Sequence, residues 1–421
     1  MTDGIDHSRE PIHGPLYRLA VWGLTLGIVF VLAAFFLHAW RVKPVDQMPI
    51  YRAATQCVRV GLQDADSGWT VRGAEDIAID RKGGRLFISA YDRRHVEAHL
   101  ARRSRHRSEG RLPAGGLYPV TLADLRQALR SSAKPILTVQ SLVRPDDLTG
   151  GLHPHGIDYD VMRNEIAFIN RRYERGPNGW ERNVVLERVG GNGAIVMGEA
   201  QKLPQAANDI AIVPSDVVVS VDHGGTGVGA VLEDIFGLRR SGIQALSTAK
   251  PLLQGIGFAN GVNGRLGVKE APRDSQLTDQ IVVAATRDKS VYLIDRNGQR
   301  TARVRVPGGP DNLSVATDGS ILAAVHPSLL RMGAHRKLGL GRAPSRVVRI
   351  TPGENDVELL FEDPAGKHFQ AATIAISADG LLILGSVTDR GLMVCGPNEA
   401  GLPINSVRTA GAIVASGTAH K

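Results

Sequence analysis

Ala206-Ala207-Asn208-Asp209-Ile210 sets two oxygen-bearing side chains side by side and runs directly into an apolar strand pattern, Ile210-Ala211-Ile212. An echo lies far upstream in Gly73-Ala74-Glu75-Asp76-Ile77, which continues into Ala78-Ile79. Neighbours on an extended backbone point to opposite sides. One member of each pair can therefore face one centre while its neighbour faces another, so two such pairs can line two stacked oxygen pockets. Oxygen-only ligands suit a hard cation, and Ca²⁺ takes about six to eight of them at about 2.3–2.6 Å.

Outward from these pairs, short apolar runs recur at 76–80, 85–89, 165–169, 183–189, 210–213, 217–221, 281–284, 291–294, 313–316, 321–325, 346–350, 372–377 and 381–385. Turn residues punctuate them, as in Asp80-Arg81-Lys82-Gly83-Gly84 and Asp379-Gly380, and the chain carries 48 Gly and 22 Pro. This texture predicts an all-β, radially repeated architecture, although no repeat is regular enough to count its units. Two segments read as helices. Leu122–Arg130 places Leu122, Leu125 and Leu129 on one face, with Thr121 and Asp124 as a capping box. In 228–238, Val231, Ile235 and Leu238 share a face with Leu232 and Phe236 beside it, either an ordinary packed helix or one facing a membrane or covering a site.

The 421 residues allow one large domain plus an anchor, or two ordinary domains. Residues 1–18 are polar. Leu19–Trp40 is an uncharged run of 22 residues, long enough to cross a hydrocarbon core of about 30 Å at about 1.5 Å per residue. It exceeds the ~7–15 apolar residues of a cleavable signal, and Leu37-His38-Ala39 is a poor cleavage site, so an uncleaved transmembrane or signal-anchor helix is expected. Residues 41–56 read as a linker, and 57–421 as the folded domain. Flanking positive charge does not decide the orientation.

The formal charge is +8, much of its excess in Arg93, Arg94, Arg102, Arg103, Arg105, Arg107 and Arg111. That run reads as a solvated loop or as a contact with an anionic membrane surface. Nucleic acid is not indicated, because no aromatic residues interleave with it. Cys57 and Cys395 are the only cysteines. The absence of CxxC argues against zinc and iron–sulfur sites, and the two thiols are either a pair in an oxidising compartment or unrelated. No GxSxG elbow supports a serine hydrolase.

Five stretches, 73–80, 152–158, 206–213, 257–263 and 309–316, combine acid or amide oxygens with tight turns or apolar strands. Each alone is weak, but their order is specific. Gly73-Ala74-Glu75-Asp76-Ile77, Pro154-His155-Gly156-Ile157, Asn208-Asp209-Ile210 and Asp222-His223 come first. Gly257-Phe258-Ala259-Asn260-Gly261, Asp311-Asn312-Leu313-Ser314-Val315 and His326-Pro327 follow. From about Cys57 to Cys395 this set resembles the paraoxonase/arylesterase family of six-bladed β-propeller hydrolases.

The resemblance implies two calcium ions in a central tunnel. The catalytic one would be held by Glu75, Asn208, Asn260, Asp311 and Asn312; the structural one by Asp76, Asp209 and the carbonyl of Ile157. It implies a hydrolase of lactones or aryl esters with side activity on phosphotriesters, calcium polarising the carbonyl and activating water. It further implies a Cys57–Cys395 disulfide and a retained N-terminal helix, here a membrane tether; that disulfide and the calcium demand favour a catalytic part outside the cytoplasm, periplasmic or extracellular. His155 is the candidate general base; the competing reading is that it orients the loop of Ile157. Arg171, Asp222, His223 and His326 are expected around the pocket. Arg171 stands where the family carries a second histidine, and arginine cannot relay a proton. That departure leaves a second reading open, a membrane-tethered, calcium-stabilised propeller that binds a ligand or protein without catalysis.

Overall fold

The computed structural model describes residues 15–47, 49–51, 55–103, 112–131, 135–177, 179–196, 200–214, 216–266, 280–354 and 356–397. The polar stretch 1–14, Arg52 of the expected linker, Arg105, Arg107 and Arg111, and the chain beyond 397 lie outside these residues. Two compact units are present, 1–42 and 43–421.

The first unit is α1 (Pro15–Trp40). It starts four residues before the apolar run, inside the stretch read as a polar tail. Proline at its first position explains this, because a fixed φ and a missing N–H suit the first turn of a helix. Its Leu19–Trp40 portion is long and apolar enough to cross a membrane.

The second unit is a six-bladed β-propeller. Its chain opens with β1 (Thr55–Asp64), which belongs to the last blade. The first blade is β2 (Ala74–Asp80), β3 (Arg85–Ala90) and β4 (Gly116–Thr121), and β5 (Ile136–Val139) returns to pair with β1. Next comes β6 (Pro154–Asp160), β7 (Glu165–Gly176), β8 (Gly179–Gly190) and β9 (Gln201–Lys202). The third blade is β10 (Ala207–Val213), β11 (Asp216–Val221), β12 (Ser241–Ala245) and β13 (Pro251–Ile256). The fourth is β14 (Ala259–Leu266), β15 (Gln280–Ala285), β16 (Ser290–Ile294) and β17 (Arg300–Arg305). The fifth is β18 (Gly309–Val315), β19 (Ile321–His326), β20 (Ser345–Thr351) and β21 (Asp356–Asp363). The last is β22 (Ala372–Ala378), β23 (Leu381–Ser386) and β24 (Leu392–Pro397), completed by β1 and β5. Antiparallel β1 and β24 pair with Cys57 opposite Cys395, and a disulfide joins them. The first and last strands of the propeller are thus one covalent blade.

The first strands of the blades, β2, β6, β10, β14, β18 and β22, neighbour one another in a closed ring. Among the described residues no backbone ladder joins neighbours in this ring; at least one side-chain hydrogen bond crosses each gap instead. Asp76 Oδ2 accepts from Ile157 N at 3.0 Å, Asp158 Oδ2 from Ile212 N at 2.8 Å and Asp209 Oδ2 from Val262 N at 2.8 Å. Asn263 Nδ2 donates to Leu313 O at 3.4 Å, Ser314 Oγ to Ala375 O at 2.6 Å and Thr373 Oγ1 to Glu75 O at 2.6 Å. Apolar clusters fill the space between adjacent blades, such as Phe87 and Leu117 with Ile157 and Phe168, or Ala284 and Leu293 with Leu313 and Ile321. Burying each of the Leu, Ile and Phe side chains among them contributes about 1.5–3 kcal/mol.

The expected linker does not hang free. Lys43 O accepts from Arg346 Nη2 at 3.0 Å, Gln47 bonds Val357 O and Leu359 N, and the amides of Ile50 and Tyr51 donate to Leu359 and Leu360. It therefore covers the edge of β21, satisfying groups that an open edge would expose.

The remaining helices are α2 (Arg93–Arg103), α3 (Leu122–Arg130), α4 (Val228–Phe236) and α5 (Leu329–Leu338). In α3, Leu122, Leu125 and Leu129 are buried and Thr121 Oγ1 accepts from Asp124 N, as read. The start of the arginine run is a helix, not a loop: Asp92 caps it, its Oδ1 accepting from His95 N at 3.1 Å. The packed reading of α4 is overturned. Its apolar face is uncovered, with Val228 76 %, Ile235 68 % and Phe236 69 % exposed, and Glu233 is the residue it buries. The Glu233 carboxylate accepts from the amides of Gly224 and Gly225, and this capping of the preceding loop pulls the polar face inward.

Candidate functional site

Each inner strand breaks its register with the second strand of its blade at one level. The irregularities fall between Ala74 and Asp76, Pro154 and Ile157, Ala207 and Ile210, Ala259 and Val262, Pro310 and Leu313, and Ala372 and Ile374. A bulge leaves residues unpaired and re-aims their side chains. The residues released here are Glu75, His155, Asn208, Asp209, Asn260, Asp311, Asn312 and Thr373. Strict alternation, expected from the sequence, is therefore replaced by a ring of bulges. Two glycines let the strands close up at this level: a Cβ on Gly156 would lie 2.5 Å from Asp209 Cα, and one on Gly261 2.6 Å from Asn312 Cα. Phe258 enters β14 with φ +61°, a left-handed backbone that holds strain next to Asn260.

All three asparagines are held by their amide nitrogens. Asn208 Nδ2 donates to Asp222 Oδ2 at 3.1 Å, Asn260 Nδ2 to Thr286 Oγ1 at 3.2 Å and Asn312 Nδ2 to Glu75 O at 3.1 Å. Thr286 is itself fixed by donating to Pro310 O at 2.6 Å. With the nitrogens engaged by acceptors, the carbonyl oxygens are left over. Asn208 Oδ1 and Asn260 Oδ1 are buried without a hydrogen-bond partner among the described residues. An unsatisfied buried acceptor costs about 1–3 kcal/mol, so two at one level mark a place where a cation or donor belongs.

The carboxylates sort into two tiers. Glu75 is buried; its Oε2 is engaged by an Arg93 guanidinium nitrogen and by His155 Nδ1. Burial works to raise its pKa, but Arg93 and His155 outweigh it and hold the group at about 2. Asp311 accepts from His326 Nε2 at 2.7 Å. Asp76 and Asp209 face each other instead. Burial and the negative charge of Glu75 push Asp76 up to about 7, and burial and the charge of Asp76 push Asp209 well above its usual value. Each also accepts from backbone amides, Asp76 from Ile77 and Ile157, Asp209 from Ile210 and Val262. It is thus the amide of Ile157 that the structure places against Asp76. Among the described residues no three His, Cys, Asp or Glu side chains form a metal-binding cluster by themselves; the oxygens here are mixed, carboxylate with amide.

His155 is enclosed, and burial together with Arg171 and Arg93 keeps its pKa well below 6.5. A neutral ring donating from Nδ1 to Glu75 leaves Nε2 as its acceptor nitrogen, with Arg93 Nη2 against the same ring and 3.4 Å from Nε2. Ser89 Oγ donates to His155 O at 2.5 Å and fixes the backbone. His223 lies between Asp222 (2.7 Å) and Asp234 of α4 (3.1 Å), which overcome burial and raise it to about 9. Its ring packs edge-on against Phe258 at 5.1 Å. Arg171 is half-buried beside Tyr91, to whose Oη its Nη1 donates at 3.4 Å. Every site residue read from the sequence therefore lies on an inner strand, on its partner strand or in the turn after it.

Arg93, Tyr91 and Thr373 were not anticipated as site residues. Asp92 was the available signal for the first, because a cap followed by 17 residues free of Gly and Pro reads as a helix start rather than a solvated loop.

No protein-family model and no curated protein matches the chain. Solved structures similar to it include a gluconolactonase from Xanthomonas campestris, at 13 % identity and TM-score 0.41, with 85 % of this chain and 99 % of that one covered. A streptogramin B lyase aligns at 12 % identity and TM-score 0.40, covering 82 % and 98 %. A luciferin-regenerating enzyme aligns at 13 % identity and TM-score 0.30, covering 58 % and 91 %. At these values the likenesses carry no argument about chemistry.

Proposed function

We propose that the chain is a calcium-dependent hydrolase of lactones or aryl esters, of the paraoxonase/arylesterase kind, with side activity on phosphotriesters. The observation that carries this reading is the pair of buried amide oxygens, Asn208 Oδ1 and Asn260 Oδ1, presented without donors at the level of Glu75 and Asp311. Glu75, Asn208, Asn260, Asp311 and Asn312 would hold one ion. Asp76, Asp209 and the Ile157 carbonyl would hold a second, relieving the repulsion between two buried carboxyl groups. Bound calcium would supply Lewis-acid polarisation of the carbonyl and charge for the oxyanion.

The chain's own residues manage the proton. Glu75 orients His155 through Nδ1, and Nε2 accepts the proton of the attacking water. As the carbonyl carbon gains that oxygen and loses the alkoxide, the same nitrogen returns the proton to the leaving group. The test is hydrolysis of a lactone and aryl-ester panel with calcium and then with chelator. Turnover that chelator abolishes supports the reading; no turnover by folded, calcium-loaded protein refutes it.

One observation favours the second reading, a propeller that binds without catalysis. Arg93 already neutralises Glu75, so an ion there must share that carboxylate. We also propose that α1 anchors the protein in a membrane with the propeller outside the cytoplasm, supported by the length of Leu19–Trp40 and by the disulfide. Protease added to cells whose outer envelope has been opened while the plasma membrane stays intact should remove the propeller domain; complete protection would refute this placement.

A further inference from the structure

We infer that Arg171 binds a carboxylate carried by the substrate, so that this site selects anionic lactones or esters over neutral ones; the inference rests on the hydrolase reading. Arg171 projects from β7, where its amide donates to His153 O at 3.1 Å; its charge acts on His155, and its Nε is buried with no hydrogen-bond partner among the described residues. Its side chain makes one long contact, to Tyr91 Oη, and no ion pair among the described residues. The negative groups whose charge it feels are Glu75 and Asp222. Both are committed elsewhere: Glu75 to Arg93 and His155, Asp222 to His223 Nδ1 and Asn208 Nδ2. A second guanidinium, Arg93, is buried over the ring of Tyr91, 5.2 Å from its centroid, and touches the His155 ring; its Nε also has no hydrogen-bond partner among the described residues.

Two permanently charged forks therefore act on one imidazole, and Arg171 lacks a counter-ion among the described residues. Enclosing a guanidinium without a partner is unfavourable, and its planar donors match a carboxylate in two parallel hydrogen bonds. Tyr91 and Tyr173 add phenol groups around the same fork. A neutral lactone leaves that fork unpaired, whereas a ring carboxylate completes it. A site built to pair a substrate group discriminates against the analogue that lacks it.

The test compares γ-butyrolactone bearing a ring carboxylate with its carboxamide, using the full chain with calcium. Wild type should favour the carboxylate by ~10–100-fold in kcat/KM, mostly through KM. Arg171→Gln should bring the ratio close to one, and Arg171→Lys should keep part of it. A wild-type ratio near one, or an unchanged ratio in Arg171→Gln, overturns the inference. A second readout needs no turnover: glutarate binding by calorimetry should weaken by about ten-fold or more in Arg171→Gln. If no lactone is hydrolysed but glutarate binds in an Arg171-dependent way, the hydrolase reading falls and the carboxylate site stands. Absence of glutarate binding by wild type removes the site itself.

Discussion

Asn260 and Asp209 show how adjacent tiers assign different duties to similar oxygens. Asn260 is fixed by Thr286 and offers an unused carbonyl oxygen, whereas both carboxylate oxygens of Asp209 also tie backbone amides of β10 and β14. Asn260→Ala should reduce kcat/KM for a lactone by ~100-fold or more while lowering stability by less than about 1 kcal/mol. Asp209→Ala should lower stability by ~3 kcal/mol or more, because it strands two buried amides and their neighbours. Similar effects from the two, by kinetics and urea unfolding, would refute the division. His153 supplies a pH test away from the ions. It is buried against Tyr91 and Tyr173, accepts no compensating charge, and burial lowers its pKa to about 4. Because the folded value lies below the unfolded one, the unfolded chain binds its proton first, and stability falls as pH drops from ~6.5 towards 4. The loss from this residue is up to ~3 kcal/mol. Urea midpoints that do not change between pH 7 and pH 4.5, corrected with His153→Gln, would contradict it. At this scale the acids and amides were legible, because their pairing with apolar runs is unusual; Arg93 was not, because an arginine among arginines gives no sign that it alone turns inward.

The elements of the site are strand beginnings, and their bulges explain both what the sequence reveals and what it hides. Apolar alternation marks 210–213 and 313–316, but β10 starts at Ala207 and β18 at Gly309. The polar residues that break the pattern are within the strands, held by side-chain bridges instead of a ladder. The missed strands β12 and β17 carry no period-two pattern: β12 buries three residues in a row, Ser241, Gly242 and Ile243, and the edge strand β17 buries only Val304. The close approach at Gly261 has a direct consequence. Gly261→Ala would drive a Cβ to 2.6 Å from Asn312 Cα and Asp311 O, which are backbone atoms and cannot swing aside. A loss of ~2 kcal/mol or more is expected, accompanied by weakened calcium binding; a variant as stable as wild type by thermal denaturation would show that the ring is looser than described. In α4, Glu233→Ala should free the Gly224 and Gly225 amides and cost about 1–3 kcal/mol, read by the same measurement.

For the whole molecule, closure rests on one blade made from both ends of the domain. The disulfide spans a sequence separation of 338 residues, so replacing Cys57 and Cys395 together by serine should lower stability by ~2–4 kcal/mol, measured by urea unfolding. The all-β architecture could be read from strand texture, and the number of blades came from the resemblance; unequal blades, with three, four and five strands, explain why no period was visible. The central claim is that residues from these blades make an oxygen cage for calcium at the axis. Calorimetric titration of calcium into chelator-treated protein tests it most directly. The account predicts two bound ions per chain, one lost in Asn260→Ala and the other in Asp209→Ala; folded wild-type protein that binds no calcium at saturating concentration would contradict it.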